Sequence, residues 1–173
     1  KAITAVARLH FAPTPEAQAH LLHEGVAVGD APVVGNTVID ALWWMRKRLD
    51  GTELDHLGLP SNRMLVLLTC HRRESQGRPM RRALDAVAQV AAARADELCV
   101  VVPVHPNPVV SEAVRDRLSN VPGVALVEPL DYRTMVALLS AGRMVVTDSG
   151  GLQEEAPALG LPVLVLREKT ERP

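Results

Sequence analysis

Val145-Val146-Thr147-Asp148-Ser149-Gly150-Gly151-Leu152-Gln153-Glu154-Glu155 reads as a strand, a turn and the start of a helix. A β-branched run stops at Ser149-Gly150-Gly151, and a helix then opens with two carboxylates in its early turns. Such a turn suits a nucleotide diphosphate. Bare glycines let a pyrophosphate approach the backbone, and free helix N–H groups point at the anion. A carboxylate one turn further in accepts both hydroxyls of a ribose. Taken alone, the segment fits an ordinary strand-to-helix turn equally well. Its weight comes from the rest of the chain, where the same unit recurs.

Upstream, an apolar strand at 64–69 precedes a helix at 79–94 with Ala83, Val87, Val90 and Ala91 inward. Strands at 98–104, 124–127, 144–147 and 163–166 alternate with helices at 109–118, 132–140 and 152–159, the last ended by Gly160. Strands that read as continuous Val/Leu runs are buried on both faces, which requires a parallel sheet covered by helices on each side. The expected fold is α/β: a doubly wound, Rossmann-like parallel sheet of five strands and four crossover helices. Before it, a short strand at 9–12 leads to a helix with Thr14 as N-cap, Pro15 at its first position and Glu16 in its first turn. Ala17, Leu21 and Leu22 share one face of that helix, and Gly25 stops it. A second short strand at 32–35 leads to a helix capped by Asn36 or Thr37, with Val38, Leu42, Met45 and Leu49 as its apolar stripe. Trp43 and Trp44 on this helix read as packing residues, because no basic stripe accompanies them. Residues 50–62 form a connection containing Gly and Pro.

At 173 residues the chain is long enough for one domain with a sizeable core, and with 2% aromatic residues that core must be Leu, Val, Ala and Ile. A net charge of −1 gives no sign of a nucleic-acid or membrane surface. The basic cluster Arg72, Arg73, Arg78, Arg81 and Arg82 reads as a solvated helix start for all but Arg72, which is left as a possible contact for a phosphorylated ligand. Cys70 and Cys99 are too few for a disulfide framework and suit a reducing cytosol. No leader-like segment and no apolar run long enough for a bilayer is read in these residues, so the expected location is the cytoplasm.

In an open parallel sheet, ligands sit outside the carboxyl ends of the strands. The residues just past each strand therefore form one group: His71, Arg72, Arg73 and Glu74; His105 with Pro106-Asn107-Pro108; Glu128; Asp148, Ser149, Gly150 and Gly151; and Arg167, Lys169, Glu171 and Arg172. Chemically loaded residues fall in register on this one edge, which is the expected binding face. A His-Arg pair offers two anion-directed donors and one group that titrates near neutrality, while the bland reading of His71 is a loop hydrogen bond. His105, between Val104 and Pro106, is equally a structural histidine, a secondary contact or a primary one. Cys70 and His71 are adjacent on an extended strand and point to opposite faces, so no thiol nucleophile is expected. No metal site is expected either, since His71, His105 and Asp148 lack ligand spacing. Asp148 is expected to pin its turn through backbone N–H groups rather than to act in catalysis.

Cys70-His71-Arg72-Arg73-Glu74-Ser75, Val102-Pro103-Val104-His105-Pro106-Asn107-Pro108, Thr147-Asp148-Ser149-Gly150-Gly151-Leu152-Gln153-Glu154-Glu155-Ala156-Pro157 and Thr170-Glu171-Arg172-Pro173 resemble the successive motifs of the non-hydrolysing UDP-N-acetylglucosamine 2-epimerases. Leu9-His10-Phe11-Ala12-Pro13-Thr14 and Gly35-Asn36-Thr37-Val38-Ile39-Asp40 look like that family too, in its order, so the resemblance covers essentially the whole chain. It implies the two-lobed GT-B architecture with the ligand between lobes, and interconversion of UDP-GlcNAc and UDP-ManNAc through elimination of UDP to a 2-acetamidoglucal. By this resemblance Ser149, Gly150 and Gly151 hold the pyrophosphate, Glu155 takes the ribose hydroxyls, Arg172 a phosphate or the uracil side, and His71 the reacting end. Arg72 and His105 match positions that help form a regulatory UDP-GlcNAc site in bacterial members. The resemblance further implies no cofactor and a homodimer of the full-length protein.

The sequence departs from the family pattern in places. Met135 stands where the family often has Phe, Pro106 where it usually has Leu, and Ser75 where Asn is common. The family's opening Gly-Thr-Arg-Pro-Glu loop and its acid–base carboxylates would precede residue 1. The expected organisation is therefore residues 1–35 as the tail of one lobe and 36–173 as most of a UDP-binding second lobe. Two rival functions stay open: a glycosyltransferase of the same architecture, and a nucleotide-binding module without catalysis.

Overall fold

Val- and Leu-rich runs, which bury well on both faces, form the five strands of one sheet: β1 (Met64–Thr69), β2 (Leu98–Pro103), β3 (Val124–Val127), β4 (Met144–Thr147) and β5 (Val163–Val165). Every pairing is parallel, in the order β3-β2-β1-β4-β5. The chain steps outward from β1 to β3, returns to the middle for β4 and steps outward the other way. The order therefore reverses between β1 and β4, the topological switch point where open α/β sheets place their ligands. This computed structural model describes residues 2–168 and comprises two compact units, Lys1–Trp43 and Trp44–Pro173.

The helices are α1 (Pro15–His23), α2 (Thr37–Arg46), α3 (Arg78–Ala93), α4 (Pro108–Leu118), α5 (Tyr132–Ala141) and α6 (Leu152–Ala158). Alternate strand residues go to opposite faces. Leu68, Val100, Val102 and Val146 pack with Met80 and Leu84 of α3 and Val110 and Val114 of α4. Leu67, Cys99, Val101 and Val145 pack with Leu138 and Leu139 of α5 and Leu152 and Ala156 of α6. Two aliphatic cores on two faces make the sheet doubly wound, as expected. Gly123 opens β3 at φ +79°, where an added Cβ would lie 2.7 Å from the Ala91 carbonyl oxygen. Only glycine lets the sheet approach the end of α3 there.

Some expectations need correction. On α3 the buried stripe is Met80, Leu84 and Ala91, with Val87 and Ala88 beside it, while Val90 is 56% exposed. Successive helical residues are about 100° apart, so Val90 sits a residue's turn off the stripe. The short strands at 9–12 and 32–35 reduce to a single parallel bridge, Ala12 to Val33. Pro13, Pro32 and Gly35 bound them and leave too few donors for a ladder. In α1 the Thr14 hydroxyl accepts from the Ala17 N–H at 3.2 Å, but Leu22 is exposed rather than inward. In α2 the Asn36 side chain accepts from the Val38 N–H at 3.1 Å, and Leu42 is fully buried. Trp43 and Trp44 are exposed, not packing residues, and the Arg48 guanidinium lies 3.7 Å from the Trp44 ring centroid. A cation–π contact with a residue one turn on takes the place of burial. Among the described residues, no helix is long and apolar enough to cross a membrane.

The stripe on α3 sets a direct expectation. Leu84→Ala opens a cavity in the core and should cost about 2–5 kcal/mol, whereas Val90→Ala should stay within about 0.5 kcal/mol. Urea unfolding of the two variants checks this, and equal costs would mean that α3 packs with its other face.

Candidate functional site

β1 and β4 are neighbours in register, so Thr69 stands beside Thr147. Their hydroxyls lie 2.6 Å apart, and Thr147 Oγ1 also accepts from the Ser149 N–H at 2.9 Å. One residue further, Asp148 has no exposed surface. Its carboxylate accepts from the His71 N–H at 3.1 and 2.9 Å and from the Arg72 N–H at 2.9 Å, and lies 3.2 Å from His71 Nδ1. Asp148 thus pins backbone N–H groups as expected, but those of the loop after β1 rather than of its own turn. Three donors are what a buried carboxylate needs to remain tolerable.

The partners also set the tautomers of two histidines. A carboxylate at Nδ1 puts the neutral proton of His71 there and leaves Nε2 with a lone pair. His105 Nδ1 accepts from the Asn107 N–H at 3.1 Å, so its proton sits on Nε2. The two rings stack with centroids 5.5 Å apart and planes 9° from parallel. His71 is half-buried and His105 exposed, at the mouth of a cavity of about 310 Å³. Ser149, Leu152 and Glu155 line it from the β4–α6 side, Leu130 and Met135 from the α5 side, and Thr69, Cys70 and Pro106 are among its other walls. Burial drives the Cys70 thiol up to about 12, and the nearby Asp148 charge adds to the shift. A thiol held so far from ionisation is no nucleophile.

Glu155, one turn into α6, is buried. Burial lifts its carboxyl above the ordinary range, the Tyr132 hydroxyl 3.3 Å from Oε1 pulls it back down, and the Glu154 charge lifts it again. The Tyr132 phenol is itself raised, by burial first and then by the Glu155 charge. Gly151 has helical backbone angles, φ −64° and ψ −47°, which any residue adopts. An added Cβ there would lie 3.8 Å from Glu155 Oε2 and 3.9 Å from Ser149 Oγ. What glycine contributes at 151 is open space in front of the helix, not conformational freedom. Among the described residues, nothing accepts from the N–H groups of Gly150, Gly151 and Leu152.

The structure thus brings His71, His105, Ser149 and Glu155 to one cavity at the switch point, with Gly151 close to the Glu155 carboxylate. It does not bring all the strand-end residues there. The Glu128 side chain is 86% exposed and pairs with Arg115 at 3.6 Å. Arg72 is anchored at that edge through its N–H. The Arg167 side chain is 13% exposed and lies 3.5 Å from Glu74, so it braces the loop after β1. Lys169, Glu171 and Arg172 lie outside the described residues. Sequence reasoning missed Tyr132 as a partner of Glu155. The available signal was Asp131-Tyr132, an N-cap followed by a large polar aromatic at a strand-end helix start. A hollow of about 790 Å³ is lined by Arg8, His10, His23, Glu24 and Asp30 among others, and one of about 570 Å³ by His56, Glu128 and Asp131. Among the described residues, no three His, Cys, Asp or Glu side chains gather to hold a metal.

Comparison with known proteins gives a consistent result. The family profile described as UDP-N-acetylglucosamine 2-epimerase matches residues 1–173. A probable UDP-N-acetylglucosamine 2-epimerase of Ralstonia nicotianae is 46% identical over 100% of this chain and 48% of its own length. The crystal structure of UDP-GlcNAc 2-epimerase from Neisseria meningitidis bound to UDP-GlcNAc superposes with TM-score 0.88 at 38% identity, over 98% of this chain and 47% of that one. The S. aureus MnaA–UDP structure gives TM-score 0.85 at 38% identity, over 99% of this chain and 46% of that one. The chain spans about half the length of the curated relatives it matches.

The raised Cys70 thiol, with Cys99 raised likewise by burial, predicts a chemical silence. At pH near 8 a free cysteine is partly thiolate, but neither of these should alkylate with iodoacetamide in the folded protein. Both should label fully in denaturant. Mass spectrometry counts the adducts, and rapid native labelling of Cys70 would contradict its burial.

Proposed function

The chain belongs to the UDP-N-acetylglucosamine 2-epimerase family, and from that premise we propose that it forms the UDP-binding lobe of an enzyme interconverting UDP-GlcNAc and UDP-ManNAc. On this reading residues 1–35 are the tail of the facing lobe and 36–173 belong to the second lobe of a two-lobed GT-B protein, a homodimer at full length. The observation that carries it is the convergence of Glu155, Ser149 and His71 on one cavity at the switch point, beside unengaged N–H groups at the start of α6.

The reaction removes the proton from C2 and breaks the bond between C1 and the UDP oxygen, leaving a 2-acetamidoglucal and UDP. Re-addition of UDP at C1 and of a proton to the opposite face of C2 gives the epimer. Ser149, Gly150 and Gly151 meet the diphosphate at the turn, where the oriented N–H dipoles of Gly150 and Gly151 stabilise the charge on the departing UDP. Arg172 adds a charge-assisted contact to a phosphate. Glu155 accepts the ribose hydroxyls. His71, fixed by Asp148 with its Nε2 lone pair outward, faces the reacting end of the sugar nucleotide. Arg72 and His105 serve a second, regulatory UDP-GlcNAc site at the same edge. The C2 acid–base carboxylates come from the facing lobe, since neither Glu128, exposed and paired, nor Asp148, enclosed by donors, is placed for that work.

Incubating the full-length protein with UDP-GlcNAc in deuterated water should give UDP-ManNAc carrying deuterium at C2, read by NMR. Transfer of the sugar to an acceptor instead would make the protein a glycosyltransferase. Residues 1–173 alone should wash no deuterium into C2. Glu155→Ala leaves ribose hydroxyls without their acceptor and should cost about 1–3 kcal/mol of UDP affinity. Unchanged calorimetric affinity would move the nucleotide site away from α6.

A further inference from the structure

Tyr132 occupies the first position of α5, and that turn is fixed from two sides. The Asp131 side chain caps it, accepting from the Thr134 N–H at 2.8 Å. The next residue, Arg133, is gripped by the loop before β1: its Nε and Nη2 reach Glu53 Oε1 at 3.0 and 2.7 Å, and Nη2 reaches Asp50 Oδ2 at 2.8 Å. Glu53, with 5% of its side chain exposed, also accepts from the N–H groups of Asp50 and Gly51. The phenol hydroxyl is thereby delivered to Glu155 Oε1 at 3.3 Å, while Oε2 faces the open space before Gly151. Among the described residues Tyr132 is the sole hydrogen-bond partner of the Glu155 carboxylate.

We propose that Tyr132 is a positioning residue of the nucleotide site, holding one oxygen of Glu155 so that the carboxylate stands oriented with its other oxygen toward the ligand. This rests on the reading that Glu155 accepts the ribose hydroxyls. The contact is long for an O–H···O pair, a spacing common in sites that tighten around their ligand. Other charged or titratable groups around this carboxylate are Glu154 on its own helix and Cys70, His71 and His105 across the cavity. None of them donates to it. Since the hydroxyl counteracts the upward pull of burial on Glu155, its loss raises the carboxyl further. The variant then loses its acceptor at a higher pH than the parent protein.

The test is Tyr132→Phe in the full-length protein, with UDP as probe and calorimetry at several pH values between about 5 and 8. The substitution keeps the ring, and the residue is 40% exposed, so the fold tolerates it. UDP affinity should drop about threefold to tenfold at the upper end, consistent with loss of one modest hydrogen bond, and the gap should widen as pH falls. Any pH dependence that the two proteins share cancels in the ratio of their affinities. In a Glu155→Ala background the same substitution should change nothing. A loss that is constant with pH, or that persists without Glu155, overturns the proposal, as does no loss at all. If Glu155→Ala itself leaves UDP affinity intact, the reading of Glu155 fails instead.

Discussion

A carboxylate with no exposed surface is tolerable only when its charge is met by donors, and Asp148 takes all of its donors from the opposite side of the switch point. The His71 and Arg72 N–H groups and the His71 ring hold it. β1 and β4 are far apart in sequence and adjacent in space, so this contact joins the two halves of the winding at the point where their order reverses. It closes the loop after β1, fixes the His71 tautomer and ring plane, and leaves the residue after it, Ser149, to open the turn into α6. In the Thr69–Thr147 hydroxyl pair just below it, the buried Thr147 hydroxyl is likewise satisfied by the neighbouring strand. Remove the carboxylate and the candidate site loses its frame before it loses any group that faces the cavity.

Much of this was legible in the sequence because the physics is local. Val/Leu runs bounded by Gly, Pro and Asn punctuation give β1, β3 and β4 to the residue, since a strand buried on both faces admits little else. The N-caps at Thr14, Asn36, Asn107 and Asp131 were readable in principle for the same reason: a side-chain oxygen meets an N–H two or three residues on. Less legible was the rotational phase of α3: Ala91 and Val87 do face the core, but the sheet adds Met80 and Leu84 to the stripe and leaves Val90 outside it. The two tryptophans failed for a related reason. Hydrophobicity argues burial, but the Trp44 ring, beside Arg48 one turn on, finds its partner at the surface.

The site was legible as a set of strand ends and illegible as a set of pairs. Parallel topology alone predicts that residues 71, 105 and 149 share an edge. It does not predict that two imidazoles stack, that Asp148 reaches across to the preceding loop, or that Tyr132 finds Glu155. Those pairings depend on strand order, and order is fixed by long-range packing that no local pattern encodes. Gly151 was legible for what it leaves out. Bare glycine was expected to let a ligand approach the backbone, and with ordinary angles its use is the space left by a missing side chain.

Electrostatics within the cavity point to where further charge must come from. Glu154 and Glu155 sit in the first turn of α6, where the helix dipole favours carboxylates. An anionic diphosphate in front of the same turn adds like charge close by, and the short helix offers only partial positive charge in return. The described lining of the cavity contains two imidazoles and no guanidinium or ammonium. Arg167, the strand-end arginine after β5, is engaged with Glu74 instead. A diphosphate held here therefore draws its formal counter-charge from beyond the lining. On the proposed reading that is Arg172, together with the facing lobe, and it makes lobe closure an electrostatic requirement of tight binding as well as a means of excluding water.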